Sequence, residues 1–187
     1  MIVIREISDR NILDQFCEEF CAIVERHCQY IIVSGFLAIA SGRTRGTEDI
    51  DMIIERINLE QWKIIFNELD KRGFICMQTS SFEEAYDYLK DNTSIRFTRK
   101  DKPLPEMEIK FAKDILDKYQ LDNRLKIKLT GLDVWFSSVN VNIAFKEELL
   151  KSQKDLEDAR HLRIVFNEDL NEEEIKKIKL MIKRFRL

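Results

Sequence analysis

The sequence predicts an α+β protein whose α/β front half forms a mixed β-sheet flanked by helices, followed by a helical C-terminal segment. Three observations carry this expectation. Short apolar or alternating runs, bounded by Gly, Ser, Asn and Asp, recur from Tyr30 to Phe136. Between them lie segments whose apolar residues repeat at helical spacing. After Ser138 the alternating runs stop and only the helical period remains. The boundary is therefore set at 1–138 for the core and 139–187 for the helical segment. No evident linker separates them, so the helices are expected to pack on the sheet as one unit.

From Asp9 to Cys28, the residues Leu13, Phe16, Cys17, Phe20, Cys21, Val24 and Cys28 mark one face of a helix, with Ser8 or Asp9 as its cap. Tyr30 to Val33 is a continuous apolar run, read as a strand buried on both faces. Ser34-Gly35 breaks it, Phe36 to Ala40 suits a short helix, and Gly42 to Thr47 reads as a loop. Asp49 to Glu55 is the next strand. Leu59 to Arg72 is an amphipathic helix stopped by Gly73, and Phe74 to Gln78 is a strand. Ser81 to Lys90 reads as a helix with a capping-box pattern, Ser81 followed by Glu84. Ser94 to Thr98 and Met107 to Phe111 alternate as strands, with a turn at Lys102 to Pro105 between them. Lys113 to Tyr119 gives a helical turn or two. Leu125 to Leu129 and Leu132 to Phe136 read as a hairpin about Thr130-Gly131. Val141 to Lys151, Lys154 to Phe166 and Glu172 to Phe185 complete the chain as helices.

Composition narrows the function. Hydrophobic residues make up 44% of the 187, enough for a sizeable core. Charge is abundant but mixed, and a net charge of -3 excludes a global basic field, so any nucleic-acid contact needs a local patch. No apolar run is long enough to span a bilayer, and the N-terminus lacks the pattern of an export signal, so a cytoplasmic location is expected. Cys17, Cys21, Cys28 and Cys76 form no paired CxxC motif, which argues against a disulfide framework or zinc site.

The chemistry is concentrated in Tyr30 to Glu55. Strand alternation puts Asp49 and Asp51 on one face and Ile50 on the other. Two carboxylates that close repel unless a cation or proton lies between them, and oxygen-rich sites of this kind favour magnesium. Ser34 and Gly35, small residues between strand and helix, let a phosphate approach backbone N–H groups. Arg45 is placed to clamp a phosphate. A two-metal site usually needs another carboxylate from a neighbouring strand. Glu108 is the candidate, since Met107, Ile109 and Phe111 take the opposite face.

Ser34-Gly35 followed by Asp49-Ile50-Asp51 resembles the signature of the nucleotidyltransferase superfamily with the DNA polymerase beta-like fold. The fuller string Arg45-x-Thr47-x-Asp49-Ile50-Asp51 resembles its minimal prokaryotic members, among them the nucleotidyltransferase toxins of toxin–antitoxin pairs. Glu108 falls where that family places its third carboxylate. Lys146 and the run Lys154-Asp155-Leu156-Glu157-Asp158 are similar to its late lysine and KDxxD helix. Two departures stand out: the family usually has Gly where this chain has Ser34, and more often Asp where it has Glu108.

The resemblance implies two magnesium ions held by Asp49, Asp51 and Glu108. It also implies a nucleoside triphosphate (NTP, such as ATP) at Ser34, Gly35, Arg45 and Thr47, with Lys146 as a further contact. A nucleoside monophosphate would pass to a hydroxyl on RNA or tRNA, a protein or a small molecule, releasing pyrophosphate. The alternative is a non-catalytic nucleotide-binding or regulatory module, such as a toxin–antitoxin partner, because fold alone does not confer activity.

Blander readings accompany these assignments. Arg45 and Thr47 could serve the loop alone. Lys146 is either a solvated helix lysine or a phosphate contact. Lys154, Asp155 and Asp158 read mainly as a helix cap and charge pairs. The three N-terminal cysteines share the core face of their helix with Leu13, Phe20 and Val24, His27 lies next to that face and reads as structural, and His161 is read as solvated. Arg96, Arg99, Lys100 and Lys102 form either an RNA-facing patch or a solvated loop.

Overall fold

The computed structural model describes residues 11–47 and 49–187. Its elements are α1 (Ile12–Val24), β1 (Tyr30–Val33), α2 (Phe36–Ala40), β2 (Asp49–Ile54), α3 (Leu59–Lys71), β3 (Phe74–Cys76) and α4 (Phe82–Lys90). They continue with β4 (Ile95–Arg99), β5 (Lys102–Phe111), α5 (Ile115–Asp122), β6 (Leu125–Lys126), β7 (Trp135–Phe136), α6 (Val139–Phe145), α7 (Gln153–Val165) and α8 (Glu172–Arg186). A single π-helical turn, Lys146–Leu150, extends α6. The strands form one seven-stranded sheet in the order β3-β4-β5-β2-β1-β7-β6. The pairs β2–β5 and β1–β7 are parallel and the others antiparallel. The mixed sheet and its flanking helices agree with the fold class expected from sequence.

Local sequence explains most element ends. Asn11 opens α1 through a capping box: it accepts the Asp14 N–H at 2.9 Å, and the Asp14 carboxylate accepts the Asn11 N–H. The expected caps Ser8 and Asp9 lie outside the described residues. The helix stops at Val24, so Cys28 sits buried in the turn beyond it rather than on the helix. Ser81 caps α4, but Glu84 does not return the bond; its carboxylate accepts from Thr79 instead.

One expectation fails outright. Lys102 to Pro105 is not a turn but the start of β5, and the turn lies at Lys100-Asp101, with Asp101 at φ 65°. The prolines are tolerated because β2 joins β5 only from Glu106 onward, where Asp49 is its partner. Before that point one side of β5 is an edge, where a missing N–H costs no ladder bond.

The two faces of the sheet differ in kind. Ile50, Met52 and Ile54 of β2 share a face with Met107, Ile109 and Phe111 of β5, and all six are buried in the main core. Phe20 of α1 meets Phe97 at 5.6 Å and Phe74 at 5.0 Å, and Trp62 and Phe66 of α3 also pack edge-on against Phe97. On the other face, among the described residues, Ile31, Ile53 and Leu121 make a small apolar cluster with Val33 and Ala112 packed against it. The rest of that face carries the acids of β2 and β5. The C-terminal helices close over it, with Arg186 of α8 bonded to Asp114 and Asp117.

Candidate active site

β2 and β5 are in parallel register with Asp49 beside Glu106 and Asp51 beside Glu108. Period-two alternation then sends all four carboxylates to the same face. Oxygens of Asp49, Asp51 and Glu108 lie within 4.8 Å of one another. On the other side of β2, Asp51 is in register with Val33, the last residue of β1, so the Ser34-Gly35 turn stands beside the carboxylates.

Asp51 and Glu108 are half-buried, whereas Asp49 is exposed. Burial pushes the Asp51 carboxyl above the ordinary range, and the charges of Glu108 and Asp49 push the same way. A hydrogen bond from the Ser34 hydroxyl and the nearby Lys110 charge oppose the rise. Thr47 steadies Asp49, its hydroxyl lying 3.1 Å from both the carbonyl and Oδ1 of that residue. This donor set fits a hard divalent cation. Magnesium binds oxygen at about 2.1 Å, so oxygens on opposite sides of it are roughly 4.2 Å apart, a spacing these acids meet with small side-chain movements. Such an ion would also relieve the repulsion that raises Asp51.

Ser34 has φ 69°, in the left-handed region that favours glycine. This is where the family pattern has Gly, and the hydroxyl of the serine faces Asp51. Gly35 has an ordinary φ of -77° but a crowded neighbourhood, because a Cβ there would lie 1.9 Å from Arg45 Nη2. Its lack of a side chain admits the guanidinium of Arg45 against the turn. The following helix, α2, has only five residues, so its dipole adds little.

The cations expected at the phosphate are held by a group that the sequence reading treated as structural. Asp158 is fully buried. It accepts from Arg45 Nε and Nη2 at 3.0 Å each, from Lys146 Nζ at 2.9 Å, and from Arg43. Lys146 is only 1% exposed, which corrects its reading as a solvated lysine. Its buried position begins the π-turn, an irregularity common at functional positions. Burial alone would raise the Asp158 carboxyl, but the bonds from Lys146 and Arg45 hold it below the usual range. Asp155 does serve the helix start, its N–H bonding the Ser152 cap at 3.1 Å.

The proposed RNA patch does not form as one surface. Arg96 lies on the carboxylate face, donating to Glu108 Oε2 through Nε at 3.2 Å and Nη2 at 3.0 Å. Arg99 lies instead over the ring of Phe74 and pairs with Glu19 of α1. His27 pairs with Glu68 at 2.5 Å, and His161 is half-buried, with Nε2 3.4 Å from the Ser41 hydroxyl, rather than solvated.

A cleft of about 160 Å³ runs from Ser34 and Asp51 toward α6, between the sheet and the C-terminal helices. Lys110, Lys113 and Asn142 line it with the apolar Phe145 and Leu149. Sequence reading passed over these three polar residues. Alternation did place Lys110 on the face of Glu108; nothing local marked Lys113 or Asn142.

No protein-family model and no curated protein matches this chain. Among solved structures, it is similar to an antigenic nucleotidyltransferase-like protein from Paracoccidioides brasiliensis, with 15% identity, 92% of this chain and 87% of that one covered, and a TM-score of 0.53. It is also similar to the antibiotic-resistance factor ANT(2'')-Ia in solution, with 15% identity, coverage of 91% and 93%, and a TM-score of 0.50. The crystal structure of ANT(2'')-Ia in complex with adenylyl-2''-tobramycin gives 16% identity, coverage of 93% and 98%, and a TM-score of 0.53. At this identity the likeness is one of architecture, and it spans nearly the whole chain: the protein has a nucleotidyltransferase-type fold.

Proposed function

We propose that this chain is a magnesium-dependent nucleotidyltransferase that moves a nucleoside monophosphate from a nucleoside triphosphate to an acceptor hydroxyl. The convergence of Asp49, Asp51 and Glu108 beside the Ser34-Gly35 turn carries this reading. Asp49, Asp51 and Glu108 would hold two magnesium ions, which supply charge neutralisation at the attacking and leaving oxygens. Ser34 and Gly35 receive the phosphates, with Arg45 against the turn and Thr47 orienting Asp49. Lys146 supports Arg45 through their shared partner Asp158. Lys110 and Lys113 add positive charge along the cleft. Glu108, which Arg96 holds, would take the proton of the acceptor hydroxyl as it attacks the α-phosphorus and pyrophosphate leaves.

The acceptor class remains RNA or tRNA, a protein, or a small molecule. The adenylyl-tobramycin bound to ANT(2'')-Ia supports the small-molecule class. The toxin-like sequence pattern supports the other two. Labelled triphosphates, magnesium and candidates from each class test the reading, with Asp49→Asn as the control. Transfer by the wild type and its loss in the variant are expected; equal labelling by both would refute the role of Asp49.

One observation favours the second reading, a nucleotide-binding or regulatory module such as a toxin–antitoxin partner. Arg45, Lys146 and Glu108 are all engaged by the protein's own side chains. Calorimetry separates the two: metal-dependent triphosphate binding without transfer to any acceptor would support the module.

A further inference from the structure

Asn142 lines the cleft beside Ser34, Asp51 and Lys110, and it is only 4% exposed. Its Nδ2 donates to the Ser137 carbonyl at 2.9 Å and the Ser138 carbonyl at 3.0 Å. Both amide hydrogens are thereby used. Because both partners are acceptors, the carboxamide cannot be turned over. Its Oδ1 takes no hydrogen bond from any described residue, so a buried side chain presents one open acceptor at the cleft wall.

This acceptor is held from below. The Ser137 hydroxyl donates to Gln120 Oε1 at 2.9 Å, Gln120 Nε2 donates to Asp117 Oδ1 at 3.3 Å, and Arg186 reaches the same oxygen at 2.8 Å. The Ser137 N–H also donates to the Ile32 carbonyl at 3.0 Å, on the strand that leads into Ser34. Asn142 is therefore anchored one strand across from the phosphate turn. Further along the same helical run, Phe145 and Leu149 give the cleft an apolar wall, roughly 5 and 10 Å beyond Asn142 at helical rise. Ser34, Asn142 and the Phe145–Leu149 wall thus follow the order of phosphate, sugar and base in a nucleotide.

We propose that Asn142 Oδ1 accepts a hydrogen bond from one ribose hydroxyl of the bound nucleoside triphosphate and so makes this protein discriminate against nucleotides that lack that hydroxyl. The inference rests on the nucleotide reading above. A nucleotide lacking that hydroxyl leaves the oxygen desolvated and unmet, and sites built to bond a hydroxyl reject analogues without it more strongly than apolar pockets reject an added group.

Calorimetric titration of the full chain with magnesium and each of the four ribonucleoside triphosphates identifies the tightest ligand. Its 2'-deoxy and 3'-deoxy counterparts are then titrated into the wild type and into Asn142→Ala, with folding checked by circular dichroism. Asn142→Leu, similar in volume and a strong helix former, serves if alanine prevents folding. One deoxy counterpart should bind the wild type about tenfold more weakly, and the variant should bind ribo and deoxy forms alike. Equal wild-type affinities for all three forms would overturn the proposal, as would discrimination that survives in the variant, and both leave the nucleotide reading standing. Binding of no triphosphate would overturn the two together.

Discussion

Replacing Asp158 by Asn tests the buried cluster at the back of the site. Asp158 is 0% exposed and Lys146 1%, so the substitution removes a charge that neither solvent nor movement replaces. Arg43 keeps Glu157 at 2.5 Å, and Arg45 keeps the Gly46 carbonyl at 3.2 Å. Among the described residues Lys146 then keeps only Asp155 as a charged partner, at 3.5 Å. The loss is therefore mainly that of one stranded buried ammonium, and breaking such a pair costs about 3–5 kcal/mol. The lower end applies here, near 3 kcal/mol, because Asp155 remains. Urea unfolding followed by tryptophan fluorescence measures it, since Trp62 is fully buried in the core. Adding Lys146→Met to the variant should recover much of the loss. The pH dependence follows the same pair. The folded Asp158 carboxyl lies below its unfolded value, so its contribution is present above the ordinary carboxylate range and is lost as pH falls through that range toward the folded value. Asp158→Asn should lack that component of acid sensitivity. A loss under about 1 kcal/mol, or none recovered by the second substitution, would refute the view of Asp158 as the anchor of the cluster.

Gly35→Ala should destabilise by about 1–3 kcal/mol, read as a lower thermal midpoint, because the new Cβ meets a guanidinium that Asp158 holds in place. Asp51→Asn should raise the melting temperature of the metal-free protein while abolishing transfer, since its carboxylate is buried among like charges; a lower melting temperature would count against that repulsion. Arg96→Gln should tighten manganese binding measured by calorimetry without nucleotide, by about 1 kcal/mol or roughly fivefold, because a half-exposed competing cation leaves Glu108. Unchanged or weaker binding would show that Arg96 does not compete.

What was legible in the sequence was what depends on near neighbours. Alternation along β2 and β5 put Asp49, Asp51 and Glu108 on the outward face before any pairing was known. Ser34-Gly35 announced a turn, although the reason for Gly35 is the approach of Arg45 rather than its own backbone angle. The strand start at Lys102 was hidden because two prolines look like a turn until one knows that β2 joins only at Glu106. Arg96 reads as a surface base until β4 and β5 pair in register and bring it to Glu108. Asp158 likewise gains its role only when the fold brings Arg43 and Arg45 to it across more than a hundred residues of sequence. The strand acids at the cation site were thus readable and the bases were not, for a physical reason. A short carboxylate stays where its strand aims it, while arginine and lysine reach several ångströms toward whichever partner the fold provides. Arg45 and Lys146, which the sequence offered to the phosphate, are both bonded to Asp158. Lys110 and Lys113, which it did not offer, line the cleft and form no salt bridge among the described residues. A cation at such a site is better assigned by what it is not already bonded to than by its place in a motif.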